Sequence, residues 1–280
     1  MSLRKTVQIP IHPWFKDHHF NGHCIFPAVE SMLLLAGIAK EIRPDIQRSV
    51  TSEAVFSKFL PIPEDATTLQ VLVDIDEDEN GISLKLLSKI KFKKISRIKE
   101  HAELFFSVKP PTPAVIIKRI PVECVFTIDA KRIYEELVPF GPAYRSLTGA
   151  LTLSDNMAGG TLRAPKLAQQ HEMEKEMGSP FPLDGAMHAA CVMGQCIADF
   201  VPFPIGFASR TIHKPTQAGE TYNTIVSPKS APENELIFNL SICDTTGIIY
   251  ETIKGLRMRD VSRGTIRPPQ DLPRLKVSPQ

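Results

Sequence analysis

Hydrophobic and polar positions along the chain fall into two regimes: stretches of period two, which predict strands, and two longer stretches that are apolar on nearly every side. A strand is expected over 7–11, followed by a polar stretch, 12–23, that carries four of the eight histidines. Pro27 suits the first turn of a helix, where its missing N–H is not needed, and the apolar run 29–42 predicts that this helix is buried. Strands are expected over 50–60, 69–75, 82–90 and 102–108, with Asn80-Gly81 as a hairpin turn because both residues tolerate positive φ. Pro110, Pro111, Pro113 and Pro121 make 109–121 a semi-rigid connector. The second half then repeats the first. A short amphipathic stretch (129–137) and strands at 147–153 and 160–164 precede a second buried helix, 184–200. Strands at 204–212, 221–227, 235–243 and 248–258 follow, with Thr246-Gly247 in the hairpin position. The pattern predicts an α+β protein of two similar units, 1–108 and 122–262, with 263–280, rich in Arg, Pro and Gln, as a disordered tail or linker.

Composition narrows the class. A length of 280 residues accommodates two cores of ordinary size. The net charge is +2 and the 33 basic residues are spread along the chain, which argues against a nucleic-acid footprint. The one basic run, 89–99, alternates with Ile90, Phe92, Ile95 and Ile98; it reads first as a solvated strand face and second as a docking site for an acidic partner. Five cysteines, odd in number and set mostly in apolar stretches, read as reduced thiols, so a cytoplasmic setting is expected. The longest apolar run, 32–39, falls far short of the roughly 18 to 20 residues of a membrane span. Pro10 and Pro13 break the chain before a signal-type segment forms, so neither a membrane partner nor export is expected.

Two constellations carry candidate chemistry. His18, Gly22 and Pro27 lie in the order His-x-x-x-Gly-x-x-x-x-Pro ahead of the first buried helix. A histidine titrates near neutrality and accepts a proton from carbon if it is held neutral and close. Glycine permits close backbone approach to a substrate, proline fixes the helix entry, and N–H groups at a helix start receive growing oxygen charge. The second constellation, Asp184 with His188, opens the other buried helix. Asp184 is a natural N-cap residue, and His188, one turn on, shares its face and is placed to orient the carboxyl group. A structural polar pair in the core is the plain alternative. A carboxyl group donates a proton near neutrality only where desolvation outweighs the pull of the helix N-terminus, so Asp184 is expected in an apolar pocket. His12, His18, His19 and His23 lack a zinc-ligand arrangement, and no metal is expected. No Gly-rich nucleotide loop is convincing.

His18 to Pro27, Asp184 with His188, Phe140-Gly141-Pro142-Ala143-Tyr144 and Gly255-Leu256-Arg257-Met258-Arg259, in this order over about residues 10 to 260, resemble the motifs of dehydratase domains from polyketide synthases and related multidomain fatty-acid synthases. The resemblance implies a double hot-dog fold, each unit a central helix wrapped by an antiparallel sheet. It also implies dehydration of a 3-hydroxyacyl thioester, with His18 as base and Asp184 as acid. Gly22, Pro27, His188, Phe140, Pro142 and Tyr144 would support the site or contact substrate. It implies no cofactor, the substrate arriving on the phosphopantetheine of an acyl carrier protein, and membership of a larger synthase, with homodimerisation left open. Two positions depart from the family pattern: Phe140 replaces the usual tyrosine, and Ser179-Pro180 the usual His-Pro. The fold also hosts acyl-binding or cyclisation templates that eliminate nothing, enoyl isomerases and thioesterases.

Overall fold

The computed structural model of the protein describes residues 2–92, 95–108, 124–167 and 171–276, and the expected connector at 109–121 lies outside them. Strand β1 (Ser2–Pro10) leads through a 3-10 turn (Pro13–Asp17) to a small hairpin, β2 (His19–Phe20) and β3 (His23–Cys24), and then to helix α1 (Ala28–Ile42). Four strands follow: β4 (Val50–Phe56), β5 (Thr68–Glu77), β6 (Gly81–Phe92) and β7 (Ile95–Ser107). The second half opens with β8 (Phe126–Asp129) and a short helix, α2 (Ala130–Arg132), that widens into a π-turn (Ile133–Leu137). A 3-10 turn (Pro142–Tyr144), β9 (Leu147–Ser154) and β10 (Met157–Arg163) come next. After α3 (Glu174–Met177) and α4 (Pro180–Ile197), the strands β11 (Phe203–Ile212), β12 (Thr221–Lys229), β13 (Leu236–Cys243) and β14 (Ile249–Arg259) complete the fold.

Twelve of these strands form one antiparallel sheet in the order β1-β5-β6-β7-β4-β11-β14-β13-β12-β10-β9-β8. The order keeps each half of the sequence on its own side, and β4 against β11 is the seam between them. Each long helix lies under its own half. Helix α1 packs on β6 and β7, α4 on β9, β10, β12 and β13, and the two helices touch. Burial follows the apolar runs: Leu35, Ala36 and Ala39 of α1 and Ala186, Ala189, Ala190 and Val192 of α4 are inaccessible to solvent. Each larger apolar side chain removed from water in this way contributes about 1.5–3 kcal/mol.

Three expectations need correction. Helix α4 begins at Pro180, four residues earlier than its apolar pattern suggested, with Ser179 rather than Asp184 at the N-cap position. Pro180 and Pro182 fall in the first turn, which has no intrahelical use for their missing N–H groups. The Asn80-Gly81 hairpin exists, but its glycine is needed for clearance: a Cβ at Gly81 would fall 2.1 Å from the Phe106 carbonyl oxygen. The stretch 263–280 is no disordered tail in its described part. Leu272 and Leu275 are buried, and Leu275 N–H donates to the Cys196 carbonyl at the end of α4.

Candidate active site

The 3-10 turn Pro13–Asp17 ends on His18, whose N–H donates to the Phe15 carbonyl. The chain then turns through Asn21 (φ 49°) and Gly22 (φ 76°), a hairpin tip that needs two left-handed residues. This tip returns Ile25 to His18, with Ile25 N–H donating to the His18 carbonyl at 2.9 Å. In exchange His18 Nδ1–H donates to the Ile25 carbonyl at 3.1 Å. The spacing His-x-x-x-Gly therefore builds a loop that fixes the imidazole tautomer, leaving Nε2 as the free lone pair. Pro27 then occupies the N-cap position of α1.

Phe140 stacks on His18 at 4.4 Å between ring centroids and packs against His188 at 4.9 Å. Tyr144 meets His18 edge-on from behind. Asp17 ties this aromatic wall to the histidine loop: Gly141 N–H donates to its carbonyl at 2.7 Å and Ala143 N–H to its carboxylate at 2.8 Å. A Cβ on Gly141 would lie 2.5 Å from the Asp17 carboxylate, so close approach requires glycine there.

Asp184 and His188 face each other one turn apart on α4, Oδ2 to Nε2 at 2.9 Å, both buried. The contact lacks good hydrogen-bond alignment. The other ring nitrogen of His188 lies 3.3 Å from the Tyr134 hydroxyl, which itself accepts from Leu147 N–H at 2.8 Å. Burial lowers the His18 imidazole to about 4, with the Asp184 charge pulling the other way, so the ring is neutral at neutral pH. Glu30, on the inner face of α1, is pushed up to about 8 by burial, reinforced by the Glu174 and Asp184 charges and opposed by Trp14 and Tyr144.

A cavity of about 490 Å³ reaches four of the eight candidate residues: His18, Phe140, Asp184 and His188. His18 from the first half and Asp184 from the second thus share one largely apolar space, where a neutral base and a carboxyl group can act on the same small molecule. The other four lie outside it. Gly22 is exposed at the hairpin tip and Pro142 on the outer surface, while Pro27 and Tyr144 are buried behind the wall. Gly22 does not line the cavity, and its left-handed φ serves the hairpin turn.

Residues 118–267 match the family model described as the polyketide synthase dehydratase N-terminal domain, and residues 2–89 that of the polyketide synthase dehydratase domain. The chain belongs to the polyketide synthase dehydratase family. It is 23% identical over 270 residues to the polyketide synthase GfsA of Streptomyces halstedii, covering 94% of this chain and about 4% of that synthase's length. Among solved structures it is similar to a trans-AT polyketide synthase dehydratase domain from Brevibacillus brevis, with a TM-score of 0.75 at 16% identity over 93% of this chain and 94% of that one. The dehydratase domain of the CurJ module of curacin polyketide synthase gives 0.74 at 16% identity, covering 92% and 91%. A bifunctional dehydratase-cyclase domain of ambruticin biosynthesis gives 0.68 at 19%, again covering 92% and 91%. The fold is the double hot-dog of these dehydratase domains.

Within that fold, three residues matter that the motifs did not single out for these roles. Asp17 positions the wall, Tyr134 touches the outer nitrogen of His188, and Glu30 is a buried carboxyl group of α1 that meets Trp14 and Tyr144 and feels the Asp184 charge. Glu30 alone had a visible signal, a carboxylate in the first turn of α1 just ahead of the apolar run 32–39. Among the described residues no helix is long and apolar enough to cross a membrane, and no three His, Cys, Asp or Glu side chains converge as metal ligands do.

Proposed function

We propose that this dehydratase-family chain removes water from a 3-hydroxyacyl thioester to give the 2-enoyl thioester, with His18 as base and Asp184 as acid. The observation that carries the reading is the His18 ring: neutral, with Nδ1–H held by the Ile25 carbonyl, its Nε2 is a free lone pair in the cavity that Asp184 also lines. His18 Nε2 takes the proton from C2, beside the thioester carbonyl. Electrons move into the C2–C3 bond as the C3–oxygen bond breaks, and Asp184 supplies the proton that lets the hydroxyl leave as water. His188, which touches Tyr134 on one side and Asp184 on the other, positions the carboxyl group. No step needs a redox group or metal, and the apolar lining keeps bulk water from competing for both groups. The substrate would arrive on the phosphopantetheine of an acyl carrier protein, the chain working within or beside a larger synthase.

Phe140 bears on this reading. Stacked on His18, it adds apolar wall and offers no phenol to a substrate oxygen. A thioesterase would need a water activated at the thioester carbon, whereas the pair here suits removal of a proton and a hydroxyl from adjacent carbons.

The test uses 3-hydroxyacyl and enoyl pantetheine thioesters, followed in both directions by mass spectrometry with wild type, His18→Ala and Asp184→Asn. Interconversion by wild type that vanishes in both variants is expected. Failure of wild type on pantetheine-bound and carrier-bound substrates alike would sink elimination and leave an acyl-binding or cyclisation module in its place.

A further inference from the structure

The basic run 89–99 is not used by the chemistry above, yet the structure brings part of it to the mouth of the cavity. Lys99 lines that cavity and is exposed, as are Lys58 and Arg263. Exposed lining residues mark the opening, and among the described residues these three are its lysines and arginines; Asp184, the one acid among the described lining residues, is buried. In the pairing of β6 with β7, Ser88 faces Lys99 and Ile90 faces Arg97, so Arg97 and Ile90 continue the cavity-side face outward from Lys99. Lys89 pairs with Ile98 on the opposite face.

Lys58, Arg97, Lys99 and Arg263 make no ion pair with any described residue. Arg263 is held out by a shaped loop: the Asp260 carboxylate accepts from Ser262 N–H and Gly264 N–H, and Arg263 itself adopts a left-handed φ of 57°. Exposed apolar residues lie among these cations. Phe59 is 38% exposed, Ile90 39% and Val261 37%, and Phe59 packs with Phe20 and Phe203 at the rim. Four cations without an ion pair among the described residues, set around apolar side chains beside a pocket whose one described acid is deep inside, describe a surface for an anionic partner that feeds an apolar chain inward.

Building on the proposed dehydration, we infer that this rim, Lys58, Lys99 and Arg263 extended by Ile90 and Arg97, is where the acidic carrier protein docks, with the phosphodiester of its arm against the three rim cations. Complementary charge at such a rim governs association and its salt dependence more than the chemical step. The two faces of β6 and β7 supply an internal control, since net charge changes equally whichever lysine or arginine is reversed.

A phosphopantetheinylated, fluorescently labelled acyl carrier protein of strongly acidic composition is titrated with the whole chain, and anisotropy gives Kd at low and moderate salt. Arg97→Glu and Lys99→Glu are expected to weaken binding by about tenfold and to flatten its salt dependence, with Lys89→Glu within about twofold of wild type. In turnover, KM for the carrier-borne substrate is expected to rise about tenfold more in Arg97→Glu than KM for the free pantetheine thioester, with kcat nearly constant. Absence of binding by wild type at low salt, or equal weakening by Lys89→Glu and Arg97→Glu, overturns the inference. The binding arm stands apart from the chemistry: a wild type that binds the carrier face-selectively and turns over nothing would keep the docking surface and discard the dehydration.

Discussion

His18 keeps its proton off because burial penalises the charged ring more than the nearby Asp184 carboxylate favours it, and its ionisation falls to about 4. Since kcat/KM reports the free enzyme, its acid limb is expected near about 4 rather than near the usual 6.5 of an exposed histidine. A pH profile with pantetheine substrate checks this, and an acid limb near 6.5 would mean that water reaches the ring. Glu30 runs the opposite way. Below about 4.3 the residue is protonated in both folded and unfolded states; between there and about 8 only the unfolded state releases the proton, so stability falls as pH rises. Denaturant titrations of wild type and Glu30→Gln should diverge across that window by at most about 1.4 kcal/mol per pH unit, with wild type losing ground toward pH 8. Asp17 yields a third expectation. Asp17→Ala leaves the Ala143 N–H without its partner, at a cost of about 1–3 kcal/mol, and lets Phe140 drift from His18. Asp17→Asn keeps an acceptor and should restore both thermal stability and kcat in part; equal loss in both variants would assign Asp17 a purely electrostatic role. His18 and Asp184 stood out as candidates in the sequence because their spacing to Gly22, Pro27 and His188 is local. Asp17 holds residues far along the chain, and no local spacing encodes that.

At the scale of elements, both buried helices and the four strands after each were legible, because apolar runs and period-two stretches map directly onto burial. What was not legible depended on partners distant in sequence. Residues 263–276 look like a linker by composition, but Arg274 donates to the Gln195 and Ala198 carbonyls and Leu275 N–H to that of Cys196. These are carbonyls at the C-terminus of α4 that the helix itself cannot satisfy, so the segment serves as a cap built from another part of the chain. Two leucines among prolines and arginines carry too weak a periodic signal to announce it. Leu275→Ala is expected to lower stability by about 2–5 kcal/mol, and Arg274→Ala to increase hydrogen exchange in the last turn of α4. Unchanged melting of a chain cut after residue 262 would show that the cap contributes nothing.

For the whole molecule the decisive feature is that the proposed base, His18, and the proposed acid, Asp184, come from different halves, which meet at the seam between β4 and β11. One buried ion pair sits behind that seam. Arg210 on β11 donates to Glu251 on β14 at 2.7 Å, to the Met177 carbonyl just before α4, and reaches the sulfur of Met32 on α1. A single side chain therefore touches the sheet, the approach to α4, which carries Asp184, and α1, which follows the His18 loop. Burying two charges is costly in itself, while removing one partner strands the other. Arg210→Met is accordingly expected to cost about 3–5 kcal/mol, and Arg210→Met with Glu251→Leu to recover most of that loss. The carbonyl of Met177 would still lack its donor in the double variant, so kcat should stay below wild type even where stability returns. Urea denaturation and turnover on the four proteins of this cycle separate the two effects. Full recovery of both would reduce the pair to packing, whereas recovery of stability alone would make Arg210 a positioning residue for α4 and, through it, for Asp184.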